Sequence, residues 1–149
     1  MKNNRVLDAV KSGKVKMLYL MGEDPLAPEK RVDGTLEALK QVDFLVVQDI
    51  ALNETAELAD VVLPADSFAE ADGTFTNMEG RVQRVRKAVQ APGSSLADSK
   101  ILGMLLQRLG VDTGFKSAED VFRALCSEVP AYKNMSYEAL EKEGSQLIK

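Results

Sequence analysis

The chain of 149 residues lacks histidine and contains a single cysteine, Cys126. Without histidine there is no imidazole base and no Cys/His metal cluster, and one cysteine cannot form an internal disulfide. These absences exclude most zinc and catalytic-triad chemistry. Cys126 lies on the apolar face of a predicted helix with Val121, Phe122 and Leu125, so we predict a small core residue there.

The chain also lacks a large excess of charge of either sign and any long apolar run. With 19 Lys and Arg against 23 Asp and Glu, the net charge of -4 gives no overall field that favours nucleic acid or anionic membranes. The apolar runs are far shorter than the roughly twenty residues that cross a bilayer, and the start has no leader pattern. We predict no nucleic-acid partner, no membrane insertion and a cytoplasmic location, including one peripheral to a membrane within a larger complex.

The first half of the chain reads as alternating strands and helices. "VKMLYLM" (15–21), "DFLVVQD" (43–49) and "DVVLP" (60–64) are short apolar runs typical of parallel strands, and the proline of the third places its end there or at a sheet edge. Helical spacing predicts a helix from Pro28 to Gln41, and Asn53 can cap a short helix, "ETAELA". We predict an α/β fold with an open, mainly parallel Rossmann-like sheet and flanking helices.

The second half changes character after two further extended pieces. "DGTFTN" and "RVQRVRKAV" read as strands, with a suspected bulge between Val82 and Val85, and "APGSS" is a loop. Helices are predicted over 96–110, over a segment that begins with a Ser117/Asp120 capping box, and from Ser136 to about Glu143. We predict a single α/β domain, 1–149, with a sheet-forming nucleotide-binding part at about 14–90 and a helical part at about 95–149.

Ligands of open parallel sheets bind beyond the carboxyl ends of the strands. Gly22, Glu23 and Asp24 follow the first strand, and Gln48 and Asp49 end the second. Carboxylates beside backbone amides suit a ligand that brings its own donors, such as the N1 and N2 hydrogens of guanine. The same residues also fit ordinary turns and solvated strand ends, and their spacing leaves both interpretations open.

Other motifs bear on which classes of ligand the chain could bind. "GEDPLAP" is neither GxGxxG nor a P-loop, so a common dinucleotide or ATP site is not expected. The cations Arg81, Arg84, Arg86 and Lys87 could hold a pyrophosphate or a neighbouring subunit, or could form the charged face of an edge strand. Carboxylates near the strand ends could also collect Mg²⁺, although this leaves "ADVVLP" to "EGRVQ" without a role.

Five sequence blocks together resemble one family. "GEDP", "VDFLVVQDI", "NETAELADVVLPA", "FAEADGTFTNMEGRVQRVRKAV" and "APG", in this order, are similar to the molybdopterin oxidoreductases, in the branch that contains the formate dehydrogenase α subunit and its counterpart in bacterial NADH-quinone oxidoreductase (complex I). The similarity covers about residues 14 to 110 and extends more weakly to the end. It implies that the chain is a fragment of a larger subunit, with the remaining domains and other subunits of that complex as partners.

The resemblance also implies a ligand and a set of contacts. In this family a molybdenum or tungsten atom is held by two molybdopterin guanine dinucleotides, with iron–sulfur clusters elsewhere. By resemblance, Gly22, Glu23 and Asp24 would line the nucleotide site, Gln48 and Asp49 would follow at the next strand end, and Asp60 would approach the guanine. We therefore expect the chain to hold one molybdopterin guanine dinucleotide.

Family motifs that the chain lacks define the alternatives. The cysteine motifs for iron–sulfur clusters, the cysteine or selenocysteine that ligates the metal, and its accompanying histidine are not found in these 149 residues. We therefore predict no catalytic and no metal-binding residues here, and no activity for this chain alone. The two expectations are a cofactor-holding part of a formate dehydrogenase-like subunit and, as the alternative, a complex I scaffold domain without bound molybdenum cofactor.

Overall fold

The structure is a computed structural model that describes residues 4–143 and 145–146. Its elements are α1 (Asn4–Lys11), β1 (Met17–Met21), α2 (Thr35–Leu39), β2 (Phe44–Asp49), α3 (Glu54–Glu57), β3 (Val61–Pro64), β4 (Gly73–Thr76), β5 (Arg81–Val85), α4 (Asp98–Arg108), α5 (Ala118–Glu128), a 3-10 turn (Pro130–Tyr132), α6 (Tyr137–Glu143) and β6 (Ser145–Gln146). The chain divides into two compact units, here called the first unit, which ends at Ala65, and the second unit, which begins at Asp66.

The first unit contains a parallel sheet in the order β1-β2-β3. The β1–β2 pairing ends with Met21 opposite Gln48, and the β2–β3 pairing ends with Asp49 opposite Pro64. Pro64 lies in an edge strand of this sheet, where its missing N–H costs no ladder bond. The predicted α/β fold with a parallel sheet and flanking helices is confirmed.

A compact apolar cluster holds the first unit together. It consists of Leu26, Leu39, Leu45, Val47 and Ala56, each at most 3% exposed. Leu26 belongs to the loop after β1 and yet is fully buried. Burying a leucine side chain contributes about 1.5–3 kcal/mol, so this residue anchors the loop to the sheet.

The helix predicted from Pro28 to Gln41 is shorter than expected. Residues 25–30 and 33–34 form turns and bends, and α2 covers only Thr35–Leu39. Gly34, at the N-cap, has φ +80°, a left-handed conformation in which a helix cannot continue. The Asp33-Gly34 pair was therefore a turn signal that the helical spacing of the apolar residues obscured.

The second unit is built on an antiparallel sheet, β4-β5-β6. The predicted bulge in β5 is wrong, since the β4–β5 register runs without interruption from Gly73 opposite Val85 to Thr76 opposite Val82. Val82 is fully buried and the side chain of Arg84 is only 12% exposed. Alternate residues of a strand share a face, so Arg84, rather than Val85, lies on the same face as buried Val82.

Helices complete the second unit as predicted. Ser117 and Asp120 form the capping box of α5, and α6 runs from Tyr137. Cys126 packs on the cluster of Val82, Phe122 and Leu140, and burial raises the pKa of its thiol, as expected of a core cysteine.

The boundary between the units lies at residues 65 and 66, not near residue 90, because β4 and β5 contact the helices that follow them. None of the helices in the described part of the chain is long and apolar enough to span a membrane.

Candidate functional site

The loop after β1 leaves the sheet at Gly22. Its φ is +62°, and its N–H donates to the carbonyl of Gln48 at 2.9 Å. No atom of the described residues would lie within 4 Å of a Cβ placed here. The glycine is therefore required by the turn, and it leaves open backbone at the carboxyl edge of the sheet.

Asp24 lies two residues beyond Gly22 and is tied to the protein at one oxygen. Its Oδ1 accepts the N–H of Leu26 at 3.2 Å and the hydroxyl of Thr55, which is itself fully buried in α3. Thr55 Oγ1 also lies 3.3 Å from the Leu26 N–H. One carboxylate oxygen thus joins the loop after β1 to α3.

Asp49 ends β2 and is held in a similar way. Its Oδ1 accepts the N–H of Ile50 at 2.7 Å, and its Oδ2 accepts Nδ2 of Asn53 at 3.1 Å. Asn53 in turn caps α3, because its Oδ1 accepts the N–H of Ala56 at 2.9 Å, as the sequence predicted. Asp49 and Asp24 are therefore each hydrogen-bonded to the start of α3, through Asn53 and Thr55 respectively.

Two ion pairs involve other residues of the loop after β1 and of α3. Lys30 Nζ lies 3.1 Å from Glu23 Oε2, and Arg31 Nη2 lies 3.4 Å from Glu54 Oε1. The hydrogen bond from Lys30 to Glu23, followed by the charge of that carboxylate, raises the pKa of Lys30. All four side chains are at least 44% exposed, so the pairs add little stability, but they bring two cations to an otherwise acidic edge.

Gln48 and Asp60 are placed differently from the other predicted residues. The Gln48 side chain is fully buried, and its Oε1 accepts the hydroxyl of Tyr19. Its carbonyl, rather than its side chain, supports the loop at Gly22. Gln48 thus shapes the edge from inside the sheet.

Asp60 is not brought together with the other five predicted residues. It precedes β3, where its Oδ2 accepts the N–H of Leu45 at 2.7 Å and its own N–H donates to the Leu45 carbonyl at 2.9 Å. Leu45 lies four residues before Asp49 on β2, so roughly 13 Å of strand separates Asp60 from the carboxyl edge. Its side chain instead satisfies a backbone amide at the amino edge of the sheet.

Thr55 is the contact residue that sequence reasoning missed. It lies on the inner face of α3 beside buried Ala56, where an apolar side chain is the default. A hydroxyl at such a position must find a hydrogen-bond partner. That requirement was the available signal, but the sequence alone does not show that the partner is Asp24.

Arg84 of β5 and Arg86, just beyond it, contact other residues of the second unit. Arg84 Nη1 donates to the carbonyl of Gly73 at 3.0 Å, and its guanidinium lies 3.5 Å from the ring centroid of Tyr137. Arg86 pairs with Glu141 of α6, and Arg84 Nε lies 3.5 Å from the same carboxylate. Within the described residues, no three His, Cys, Asp or Glu side chains form a metal site.

The carboxyl edge combines carboxylate acceptors with two cations, the kinds of group that pair with the N–H groups of a purine base and with a phosphate. Asp24 and Asp49 offer acceptor oxygens to the N–H groups of a purine, and the open backbone at Gly22 allows close approach. Lys30 and Arg31 are the cations that the same edge offers to a phosphate. We define the carboxyl-edge site as Gly22, Glu23, Asp24, Gln48 and Asp49.

Comparisons with known proteins agree with the resemblance. The model of the family described as molybdopterin oxidoreductase matches residues 2–108. The F420-dependent formate dehydrogenase 2 subunit alpha of Methanococcus maripaludis is 49% identical over 134 residues, which are 89% of this chain and 20% of that protein. A putative formate dehydrogenase of Bacillus subtilis is 41% identical over 139 residues, which are 93% of this chain and 14% of that protein.

A solved structure supports the fold. Acetylene hydratase from Pelobacter acetylenicus superposes with a TM-score of 0.73 over 98% of this chain and 20% of its own, at 22% sequence identity. The chain therefore spans about a fifth or less of the length of the proteins it matches. The family model covers well over half of the chain, and on this basis the chain belongs to the molybdopterin oxidoreductase family.

Proposed function

We propose that this chain is the part of a formate dehydrogenase-like large subunit that holds the guanosine end of a molybdopterin guanine dinucleotide. The observation that carries the proposal is that Asp24 and Asp49, which follow or end neighbouring parallel strands at the carboxyl edge, are both hydrogen-bonded to residues at the start of α3. Two acceptor groups at a strand edge suit a base with several N–H donors. The chain itself binds and orients, and has no catalytic role alone.

Each residue of the carboxyl-edge site has a proposed part. Asp24 and Asp49 accept hydrogen bonds from the guanine, Gly22 and Glu23 line the nucleotide, and Gln48 supports the loop through its carbonyl. Asp60, which the resemblance placed near the guanine, stays outside this site because it lies at the amino edge. When bound, the cofactor supplies two-electron oxidation at its metal, whereas the protein supplies position and electrostatics.

The relatives support a proposal for the activity of the whole subunit. The methanococcal and Bacillus relatives are both named formate dehydrogenases, the latter as a putative one, and only the former is named as F420-dependent. We propose formate oxidation, the activity that both names share, for the longer subunit of which this chain is a part, here called the parent. Molybdenum or tungsten, iron–sulfur clusters, further domains and other subunits then belong to the parent outside these 149 residues, and a cytoplasmic location stays a prediction.

One observation favours a second function, the complex I scaffold domain without cofactor. Three of the four carboxylate oxygens of Asp24 and Asp49 already accept hydrogen bonds from the protein. A site satisfied by its own donors can be retained for packing alone. The two functions differ in one property that can be measured directly, which is selective binding of guanine nucleotides.

Thermal unfolding of the chain with GMP or AMP tests the proposal. A ligand that binds only the folded state at 100 times its Kd adds about 2.7 kcal/mol to the free energy of unfolding, which raises Tm by several degrees. We expect GMP to raise the Tm of the first unit and AMP to leave it unchanged. Hydrogen exchange would place the protection at residues 21–27 and 48–55.

Two matched variants control the experiment. Asp49→Asn removes a negative charge from the carboxyl-edge site, while Asp60→Asn makes the same change at the amino edge. We expect the first to abolish most of the GMP shift and the second to retain it. Equal shifts with GMP and AMP would contradict guanine recognition, and no shift with either would favour the scaffold function.

A further inference from the structure

We infer that Thr55 is a positioning residue for guanine recognition, because its buried hydroxyl fixes the carboxylate of Asp24. This inference rests on the proposed function and extends it to a residue that does not touch the nucleotide. Thr55 is 0% exposed, and its hydroxyl donates to Asp24 Oδ1. It therefore acts from inside α3 on a side chain at the edge of the sheet.

The loop that carries Asp24 needs such support. Between β1 and α2 it has turns but no helix or strand, and it begins at a glycine with φ +62°. Leu26 anchors it through apolar burial, which is non-directional and fixes position rather than orientation. The Thr55 hydroxyl, Asp24 Oδ1 and the Leu26 N–H form a closed triangle of contacts. These directional hydrogen bonds fix the orientation of the Asp24 carboxylate.

The triangle determines which Asp24 oxygen is presented to a ligand. Both protein donors engage Oδ1, and among the described residues none donates to Oδ2. A carboxylate held at one oxygen leaves its second oxygen available to accept N–H groups. If the hydroxyl were removed, Asp24 would keep its charge but lose its fixed orientation, so that guanine would lose its preference over adenine.

The test is the ratio of GMP to AMP affinity, measured by calorimetric titration of the 149-residue chain. Thr55→Val keeps the shape of the side chain and removes the hydroxyl, and we expect it to lower GMP affinity roughly tenfold, the size of one hydrogen bond to a charged group, with AMP affinity unchanged. Thr55→Ser retains the hydroxyl and should retain the ratio. Rescue by serine separates orientation from loss of packing.

A matched control comes from the other buried threonine near the loop. Thr35 is 2% exposed, and its hydroxyl donates to the Val32 carbonyl at 2.7 Å, away from the carboxyl-edge site. Thr35→Val therefore makes the same chemical change in the same unit. We expect it to lower stability without changing the ratio of GMP to AMP affinity.

A double-mutant cycle tests whether Thr55 acts through Asp24. In an Asp24→Asn background, Thr55→Val should lower GMP affinity no further. An equal loss in both backgrounds, or an equal loss of GMP and AMP affinity, would overturn the inference while leaving the proposed function intact. A wild-type chain that does not prefer GMP to AMP would overturn both.

Discussion

The polar networks of the two units differ in their exposure: one lies at a strand edge, and the other is largely buried within its own unit. In the first unit, the network of Asp24, Asp49, Asn53 and Thr55 lies at a strand edge and joins loops to the start of a short helix. In the second unit, the network centres on Arg84, whose side chain is 12% exposed. One network borders the open edge of a sheet, whereas the other lies largely within the fold.

The difference shows what each network can do. Acceptor groups at an edge can accept further donors from a ligand, because a carboxylate has about four acceptor sites. A largely buried guanidinium engaged by a carbonyl, a carboxylate and an aromatic ring has its donors directed at its own fold. The comparison predicts that changes to the first network alter nucleotide binding and that changes to the second alter stability.

Replacing Arg84 should produce the largest effect on stability. Arg84→Ala removes the hydrogen bond to the Gly73 carbonyl and the contact with the Tyr137 ring, while Glu141 keeps its ion pair with Arg86. We expect a loss of about 3 kcal/mol in the unfolding free energy of the second unit, from a hydrogen bond of a charged donor and a largely buried cation–π contact. Urea unfolding followed by circular dichroism would measure it, with hydrogen exchange to assign the loss to that unit.

Arg123→Ala is the matched control for this change. Arg123 is also in the second unit, but its side chain is 71% exposed and pairs with Glu119 and Asp120 on the surface of α5. Surface pairs contribute about 0–1 kcal/mol, so the control should change little. The comparison of the two units would fail if both variants lost equal stability, or if Arg84→Ala abolished GMP binding.

The fold was largely predictable from local signals. Apolar runs identified β1, β2 and β3, and the capping residues Asn53 and Ser117 identified two helix starts. Two errors have physical causes. The Asp33-Gly34 turn overrode the helical spacing before α2, and the suspected bulge does not form because Arg84, rather than Val85, shares the inward face with Val82.

The site was predictable only in part, since strand direction brings strand ends together but does not orient side chains. The Gly22 backbone and Asp49 lie at the predicted edge. Asp60 lies at the opposite edge, because it starts its strand whereas Asp49 ends one. The role of Thr55 depends on a contact with a residue 31 positions away in the chain, which no local pattern encodes.

Asp60→Ala should have an intermediate effect and tests whether all acids of the first unit act alike. The change removes the carboxylate that accepts the N–H of Leu45. Leu45 is a strand residue that is only 1% exposed, so its N–H would lose its partner in a buried position. We expect the free energy of unfolding to fall by about 1–2 kcal/mol and GMP affinity to stay unchanged. A large loss of GMP affinity, measured by calorimetric titration, would instead return Asp60 to the nucleotide site.

Tyr137→Phe should have the smallest effect and concerns the aromatic part of the second network. Burial raises the pKa of Tyr137, although the nearby charge of Arg84 opposes this. The unfolded chain therefore loses the tyrosine proton first, and stability that is fully present below a pH of about 10 is lost as the pH rises through the folded pKa.

Because phenylalanine does not titrate, the variant should lose less stability than the wild type as the pH rises above about 10, by under about 1 kcal/mol. Urea unfolding midpoints across that range would measure the difference, and the other ionising groups, common to both chains, cancel in the comparison. If the stability of the wild type and of the variant changed in parallel with pH, the Tyr137 hydroxyl would not resist ionisation in the folded state. The ring would then contribute only through its stacking on Arg84. The second network would then consist of the guanidinium and its oxygen partners, with the ring as an apolar cover.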